Sequence, residues 1–334
     1  MKMNKNNFPK VTVVIPCRNE EKFIGQCLDS LIEQDYPKEK LEIFVLNGMS
    51  TDKTRQIAEA YSKKYSFIKV FDNPNKTSPY ALNIGLQHST GELFMHLGAH
   101  AIYQKNHISK CVKYLKEYGA DMAGGVALAT PSKNTLTARA ISLVLSDKLG
   151  GGGAFRRGGK ELQWADTAFA GCYKKELFEK VGNYNENLKR SQDMEMSLRI
   201  KKAGGKILLA PDIVVNYYPK STFKEFFKHN SEDGIWAIYP LKFGAPIFGV
   251  RHLVPLVFTL VLIVAAILGI FFKIFFWLLL ALLIFYFVVV IMRSIKIAVK
   301  EKSILLAPFI TIAFFVRHFA YGIGSFIGLI KLIL

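Results

Sequence analysis

The stretch VTVVIPCRNEE, residues 11–21, decides the fold. Its β-branched run reads as a strand, and PCRNEE leaves that strand with polar residues. Downstream, short β-branched runs alternate with amphipathic stretches of helical period, the mark of a βαβ sheet. Strands are expected at 11–15, 42–46, 67–71, 93–97 and 122–128, and helices near 21–33, 53–64, 79–87 and 105–118, with Thr51 and Asp52 starting the second helix. In open sheets of this kind, ligands bind beyond the carboxyl ends of the strands. That rule selects PCRNEE (16–21), LNGMSTDKT (46–54) and LGAHAIY (97–103) as the walls of one crevice, and NPNKTSPYALNIG (73–85) adds Lys76 over the same edge. Arg18 and Lys76 on one wall suit a diphosphate, whereas Asn47 and Asn73 taken singly read as ordinary turn residues.

Composition changes sharply along the 334 residues. Through residue 252 there are 37 Lys and Arg against 25 Asp and Glu, but residues 253–334 hold seven basic residues and one acid, Glu301. Residues 253–272 and 274–292 are uncharged runs of 20 and 19 residues, interrupted by Lys273. Each is long enough to cross about 30 Å of hydrocarbon. A third span is expected at 304–330, packed through its small residues with Arg317 pointing inward or snorkelling; a re-entrant or interfacial segment is the alternative, because Arg317 and His318 interrupt it. Arg317 and His318 read equally as lipid-phosphate ligands and as plain anchors. The cationic flanks Lys242, Arg251, Arg293, Lys296, Lys300 and Lys302 put the N-terminal domain in the cytoplasm by the positive-inside rule.

The formal charge of +18 favours anionic partners such as membrane lipid or phosphorylated ligands. No nucleic acid is expected, since no helix carries a dense basic face and no zinc-finger or aromatic RNA-binding signature is present. Cys17, Cys27, Cys111 and Cys172 lack metal spacing and suit a reducing compartment. MKMNKNNFPK has no apolar stretch behind its charges, so a cleaved signal peptide is not expected. Intrinsic disorder and a disulfide-stapled miniprotein are excluded by the apolar content and patterning. KLGGGGAFRRGGK (148–160) reads as a mobile cationic lid or membrane-facing flap, not a P-loop. ADTAFAGCYKKELFEKVGNYNE and SQDMEMSLRIKKAGGKILLAP read as two helical patterns ending in a strand, with Asp193 at the start of the second helix, where the macrodipole favours a carboxylate. Residues 221–252 form an amphipathic segment suited to the membrane surface, with Phe223, Phe226, Phe227, Ile235, Trp236 and Tyr239 among lysines.

Together VTVVIPCRNEE, NGMSTDKT, NPNKTSPYALNIGLQHSTGE, GAHAIY, LGGGGAFR, ADTAFAGCY, SQDMEMSLRIKKAGG and RHFAYGIG resemble the inverting family 2 glycosyltransferases, and within them the subgroup typified by the succinoglycan glucosyltransferase. The resemblance covers nearly the whole chain. It implies an α/β, GT-A, Rossmann-like domain with a mainly parallel sheet over residues 1–220, then the interfacial segment 221–252 and the transmembrane helices of 253–334. It also implies transfer from a nucleotide sugar to a polyprenyl-linked saccharide acceptor in cell-surface polysaccharide synthesis. Carried over by motif, Asp193 is the base, with Asp166, Thr167, Gly171, Gln192 and Trp236 on the acceptor side. Pro16, Arg18, Glu20, Asn47, Asp52, Lys76 and Gly98 bind the donor, and a divalent cation, Mg or Mn, is expected, with His100 as its candidate ligand.

Two departures stand out. The family pattern implies aspartate at Asn47, reading the nucleoside, and at Gly98, opening the DxD-like motif. Their loss leaves less to bind a hard cation. It also raises a second reading, a non-catalytic paralogue serving as a binding or scaffold subunit, against which the intact Asp166, Thr167, Gln192 and Asp193 weigh. A processive synthase is disfavoured, because FFKHNSEDGIWAIYP (226–240) lacks the Gln and Arg of QxxRW.

Overall fold

The computed structural model describes residues 8–151, 153–157, 161–245 and 249–334. The chain divides into two compact units, one formed by residues 1–128 and 154–217, the other by 129–153 and 218–334. The first unit is built on a sheet of β1 (Val11–Cys17), β2 (Leu41–Asn47), β3 (Ile68–Asp72), β4 (Leu93–His96), β5 (Met122–Ala129), β6 (Gln163–Trp164), β7 (Phe169–Lys174) and β8 (Ile207–Tyr217). Its order is β3-β2-β1-β4-β7-β5-β8-β6. β1 pairs in parallel with β2 and β4, and β2 with β3. Parallel neighbours need crossovers, supplied by α1 (Ile24–Ile32), α2 (Thr54–Lys64) and α3 (Ser78–His88); α4 (His107–Tyr118) then leads to β5. Beyond α5 (Leu136–Leu145), which belongs to the second unit, come α6 (Ala154–Arg157), α7 (Leu177–Val181) and α8 (Gln192–Lys202).

The β-branched run 11–15 is buried, and its apolar side chains alternate between two cores. Val13 and Ile15 pack with Ile24 and Leu28 of α1 and with Ile108 and Val112 of α4. Val14 packs on the other face with Ala81 and Leu82 of α3 and with Met196 and Ile200 of α8. Burying each such aliphatic side chain is worth roughly 1.5–3 kcal/mol, so the strand is held from both sides. The expected helical reading of ADTAFAGCYKKELFEKVGNYNE holds only for α7 and is otherwise corrected: Phe169–Lys174 forms β7, antiparallel to both β4 and β5. Period 2 wins there, because Cys172 enters one core and Tyr173 the other.

The second unit contains α5, α9 (Phe223–Ile238), α10 (Val250–Phe271), α11 (Lys273–Lys300) and α12 (Leu306–Ile333). By length and composition α10, α11 and α12 are each able to cross a membrane. α12 runs unbroken through Gly322, Gly324 and Gly328. Those small residues admit neighbouring backbone: a Cβ on Gly324 would lie 2.0 Å from the Ser231 carbonyl oxygen of α9, and one on Gly234 would lie 2.1 Å from that of Tyr321. Thr222 caps α9, accepting from the Glu225 amide at 3.3 Å.

Two expectations change here. Residues 129–153 leave the domain assigned to 1–220, because α5 is an apolar helix that packs on α12. Leu149 and Gly150, expected in a mobile loop, are instead held in place: they present their carbonyl oxygens to His318 and Arg317 at 2.7 and 3.0 Å. The rest of that stretch forms α6 at 154–157, while Gly152 and residues 158–160, like the N-terminal 1–7 and residues 246–248, lie outside the described residues.

Candidate active site

A cleft of about 400 Å³ lies in the first unit at the carboxyl ends of the parallel strands. Pro16 and Cys17 end β1 and Arg18 and Glu20 follow it, Gly48 follows β2, and Asn73, Lys76 and Thr77 follow β3. Gly98 and His100 follow β4, and the facing side is formed by Ala168 to Gly171, Tyr173 and, at the start of α8, Gln192 and Asp193. The sheet rule thus brings cationic and carboxylate side chains to one place.

A reciprocal hydrogen-bond network ties the loops after β1 and β2. Asp52 Oδ1 accepts from the Thr54 amide at 3.0 Å and its hydroxyl at 2.6 Å, while Oδ2 accepts from the Glu21 amide at 3.2 Å. The Glu20 amide donates to Thr54 Oγ1 at 2.7 Å, the Lys53 amide to Glu21 Oε2 at 3.1 Å, and the Thr51 amide to Asn19 Oδ1 at 2.9 Å. Desolvation opposes the Asp52 charge, but the bonds from Thr54 and Glu21 together outweigh it and hold its carboxyl below the ordinary range. Gly48 lets three loops meet, since a Cβ there would sit 3.2 Å from Arg18 Cβ, 3.3 Å from the Cys17 carbonyl oxygen and 3.4 Å from that of Lys76.

Left-handed backbone concentrates at this rim. Asn19, Met49, Lys76, Ala170 and Ser191 have φ of 57, 54, 65, 48 and 61°. Outside glycine this conformation costs on the order of 1–2 kcal/mol per residue, and strain of this kind gathers at functional sites. Ala170 is held by His107, whose Nε2 lies 2.9 Å from its carbonyl oxygen. Ser191 turns the chain into α8 and sets Asp193 in the first helical turn, where the orphan amides and macrodipole favour negative charge.

The electrostatics separate possible chemistries. Burial, with the charges of Glu20 and Asp52, pushes the Cys17 thiol up to about 12, so the cleft offers no thiolate nucleophile. Desolvation lowers the His96 imidazole below its ordinary value, against the pull of the Asp193 charge. Burial and the same charge raise Tyr173. Asp193 is therefore the carboxylate to which its neighbours respond.

Of the residues singled out in the sequence, Pro16, Arg18, Glu20, Lys76, Gly98, His100, Gly171, Gln192 and Asp193 line the cleft together. Five do not. Asn47 is 1% exposed; its Nδ2 donates to Asp72 Oδ1 at 3.3 Å and its Oδ1 accepts from the Ser50 amide at 3.1 Å. Asp52 organises the loops. Asp166 is exposed and ion-paired with Lys201. Thr167 is buried behind α8, 3.0 Å from Ser197 Oγ, which also bonds the Asp193 carbonyl oxygen at 2.8 Å. Trp236 belongs to α9 in the second unit. Conversely, His96, Tyr173, Asn73 and Thr77 line the cleft without having been singled out there for a role. Asn73 closes its turn through Nδ2, at 2.8 Å from the Thr77 carbonyl oxygen, yet its buried Oδ1 and Thr77 Oγ1 make no hydrogen bond. A buried polar atom without a partner is costly, so these two point to a ligand's polar groups. His96 follows from its position at the end of β4; Asn73 was masked by its fitness for a turn.

Among the described residues no three His, Cys, Asp or Glu side chains converge to hold a metal. His100 Nδ1 lies 3.4 Å from Glu20 Oε1. One imidazole and one carboxylate fit a cation held mainly by a ligand's phosphates and water, the usual arrangement for Mg²⁺ at phosphate substrates.

Comparison with known proteins agrees with this geometry. The family model described as Glycosyl transferase family 2 matches residues 12–182. The dolichyl N-acetyl-α-D-glucosaminyl phosphate 3-β-D-2,3-diacetamido-2,3-dideoxy-β-D-glucuronosyltransferase of Methanococcus voltae is 30% identical over 328 residues, covering 96% of this chain and 97% of its own. Succinoglycan biosynthesis protein ExoA of Rhizobium meliloti (strain 1021) is 27% identical over 254 residues, 71% of this chain and 76% of its own. The mannosyltransferase PcManGT of Pyrobaculum calidifontis, solved with GDP-Man and Mn²⁺, shares the fold with a TM-score of 0.59 at 20% identity, over 93% of this chain and 87% of its own. The sheet is thus that of a GT-A domain, and the chain is a glycosyltransferase belonging to glycosyl transferase family 2.

Proposed function

We propose that this glycosyltransferase transfers a sugar, with inversion, from a nucleoside diphosphate donor to a saccharide carried on a polyprenyl-type lipid phosphate, in the assembly of a cell-surface polysaccharide. The observation that carries the reading is the convergence on one cleft of Arg18 and Lys76 with Asp193 at the opposite wall. An acceptor hydroxyl attacks the anomeric carbon and gives its proton to Asp193. The bond from that carbon to the diphosphate oxygen breaks on the opposite face, and the electron pair leaves with the nucleoside diphosphate. Arg18 and Lys76 stabilise the charge that develops on the leaving group. Asn73 Oδ1 and Thr77 Oγ1 supply hydrogen bonds to the donor. A divalent cation, where bound, would be held by Glu20 and His100 and would neutralise the diphosphate. The lipid-linked acceptor is supported by the Methanococcus relative, whose name describes a transfer to a dolichyl phosphate sugar, and by the three helices able to cross a membrane. The positive-inside distribution supports a cytoplasmic active site.

The test is a donor screen on the full chain in detergent, by thermal shift and by hydrolysis, with and without Mn²⁺. One or more nucleoside diphosphate sugars should raise the melting temperature and be slowly hydrolysed. A folded chain that responds to no member of the panel would remove the reading in favour of a scaffold subunit.

A further inference from the structure

A second cavity, about 420 Å³, lies wholly within the second unit. Lys148, Arg251 and Arg317 line it, and none of its lining residues is Asp or Glu. The other wall is apolar, formed by Val254, Pro255 and Phe258 of α10. The polar end is built rather than incidental. Asp147, next to the cavity, accepts from Arg293 Nε at 3.0 Å and from the Leu149 amide at 2.9 Å, which fixes the turn leading to Gly150. Arg317 Nε donates to the Gly150 carbonyl oxygen at 3.0 Å, and its Nη1 donates to Asn230 Oδ1. His318 Nε2 donates to the Leu149 carbonyl oxygen at 2.7 Å, leaving Nδ1 to accept from Tyr286 at 3.0 Å. Arg251 Nε donates to His252 Nε2 at 3.3 Å. The side chains of Arg251, Arg317 and Lys148 at one end of an apolar pocket match a phosphate that carries a hydrocarbon chain. The volume is that of a small-ligand site, enough for a phosphate head and the near part of one chain.

We infer that this cavity binds the phosphate end of a single-chain lipid phosphate through Arg251, Arg317 and Lys148, with the chain against Val254 and Phe258. The inference rests on the lipid-linked acceptor proposed above and assigns where its phosphate is held.

Radiolabelled farnesyl phosphate is the probe, in equilibrium binding to the purified full chain in detergent. Unlabelled farnesyl phosphate should compete, whereas farnesol, inorganic phosphate and phosphatidylglycerol at the same concentration should not. Arg251→Gln, at an exposed position, should weaken binding about 10-fold or more, the loss expected for a charged hydrogen bond, while nucleotide-sugar binding is unchanged. Arg317→Gln should weaken it similarly where its melting matches the wild type. Unchanged affinity in Arg251→Gln overturns the assignment. So does equal competition by inorganic phosphate, which would make the chain irrelevant, or by phosphatidylglycerol, which would reduce the site to a bulk headgroup contact. A chain that binds farnesyl phosphate through Arg251 but transfers no sugar would remove the proposed transfer and leave this site standing.

Discussion

Asn47→Asp restores the residue that the family pattern implies, yet it should damage this protein. Asn47 is 1% exposed and donates from Nδ2 to Asp72 Oδ1 at 3.3 Å. An aspartate removes that donor and sets two carboxylates against each other. Two unit charges at this separation repel by about 5 kcal/mol at an effective dielectric of 20. Arg55, whose Nη1 lies 3.3 Å from the same Asp72 oxygen, offsets part of this. A net loss of about 2–4 kcal/mol follows from the residual repulsion and the lost hydrogen bond. Thermal unfolding of the full chain in detergent, followed by intrinsic fluorescence from pH 8 to pH 5, reads it directly. The variant should melt well below the wild type at pH 7.5. The neighbouring charge raises the new carboxyl's pKa, so it protonates early, and the deficit should shrink as pH falls. Adding Asp72→Asn should recover most of the loss, a coupling a double-mutant cycle isolates. A variant that melts like the wild type at pH 7.5 would refute the reasoning.

Gly98→Asp should behave in the opposite way. A Cβ there meets nothing nearer than Tyr103 Oη at 3.9 Å, so the carboxylate fits beside Glu20 and His100 and should raise donor affinity about 10-fold in Mn²⁺, within the span of a charged interaction. Gly98→Ala should leave affinity unchanged, and an equal gain in chelator would sink the cation argument. Glu42 is buried at 7% exposure. Burial works to raise its pKa, but hydrogen bonds from Thr12, Thr90 and Lys10 outweigh this, and the net shift is downward. Its stabilisation is therefore full above the ordinary carboxylate pKa and is lost as pH falls through the lowered folded value. Glu42→Gln should cost about 2–4 kcal/mol at pH 7, with the difference from wild type closing in acid; a constant difference would contradict this. The four native cysteines are buried, so Lys273→Cys provides an accessible thiol at the start of α11. In sealed inverted membrane vesicles, an impermeant maleimide should leave it unmodified, and labelling there would overturn the cytoplasmic placement.

The fold was legible where one physical signal dominated. The β-branched runs of β1 and β2 are buried on both faces, and no competing pattern obscures them. The apolar lengths of α10 and α11 were equally plain. β7 was hidden because AFAGCY is short and lies beside a helical stretch, so its alternation emerges only once β4 and β5 flank it. The membership of α5 in the second unit rests on partners distant in sequence, which no local pattern encodes. Within the site, the strand-end rule found Arg18, Lys76, His100 and, through its motif, Asp193. It could not separate residues that face the cleft from residues that build it. Asn47 and Asp52 sit in cleft loops but spend their hydrogen bonds on the protein. Ala170 was invisible for another reason: alanine gives no hint of the left-handed backbone that tertiary packing imposes on it.

Asp193→Asn is the most direct measurement. The isosteric amide keeps the first turn of α8 and its place at the cleft but takes no proton. Sugar transfer to a lipid-linked acceptor by the variant should fall by about 10² to 10⁴, the range for loss of a general base, while melting temperature and nucleotide-sugar affinity stay near wild-type values. Transfer at the wild-type rate in a folded variant would contradict the account, and the base would have to be sought elsewhere in the cleft.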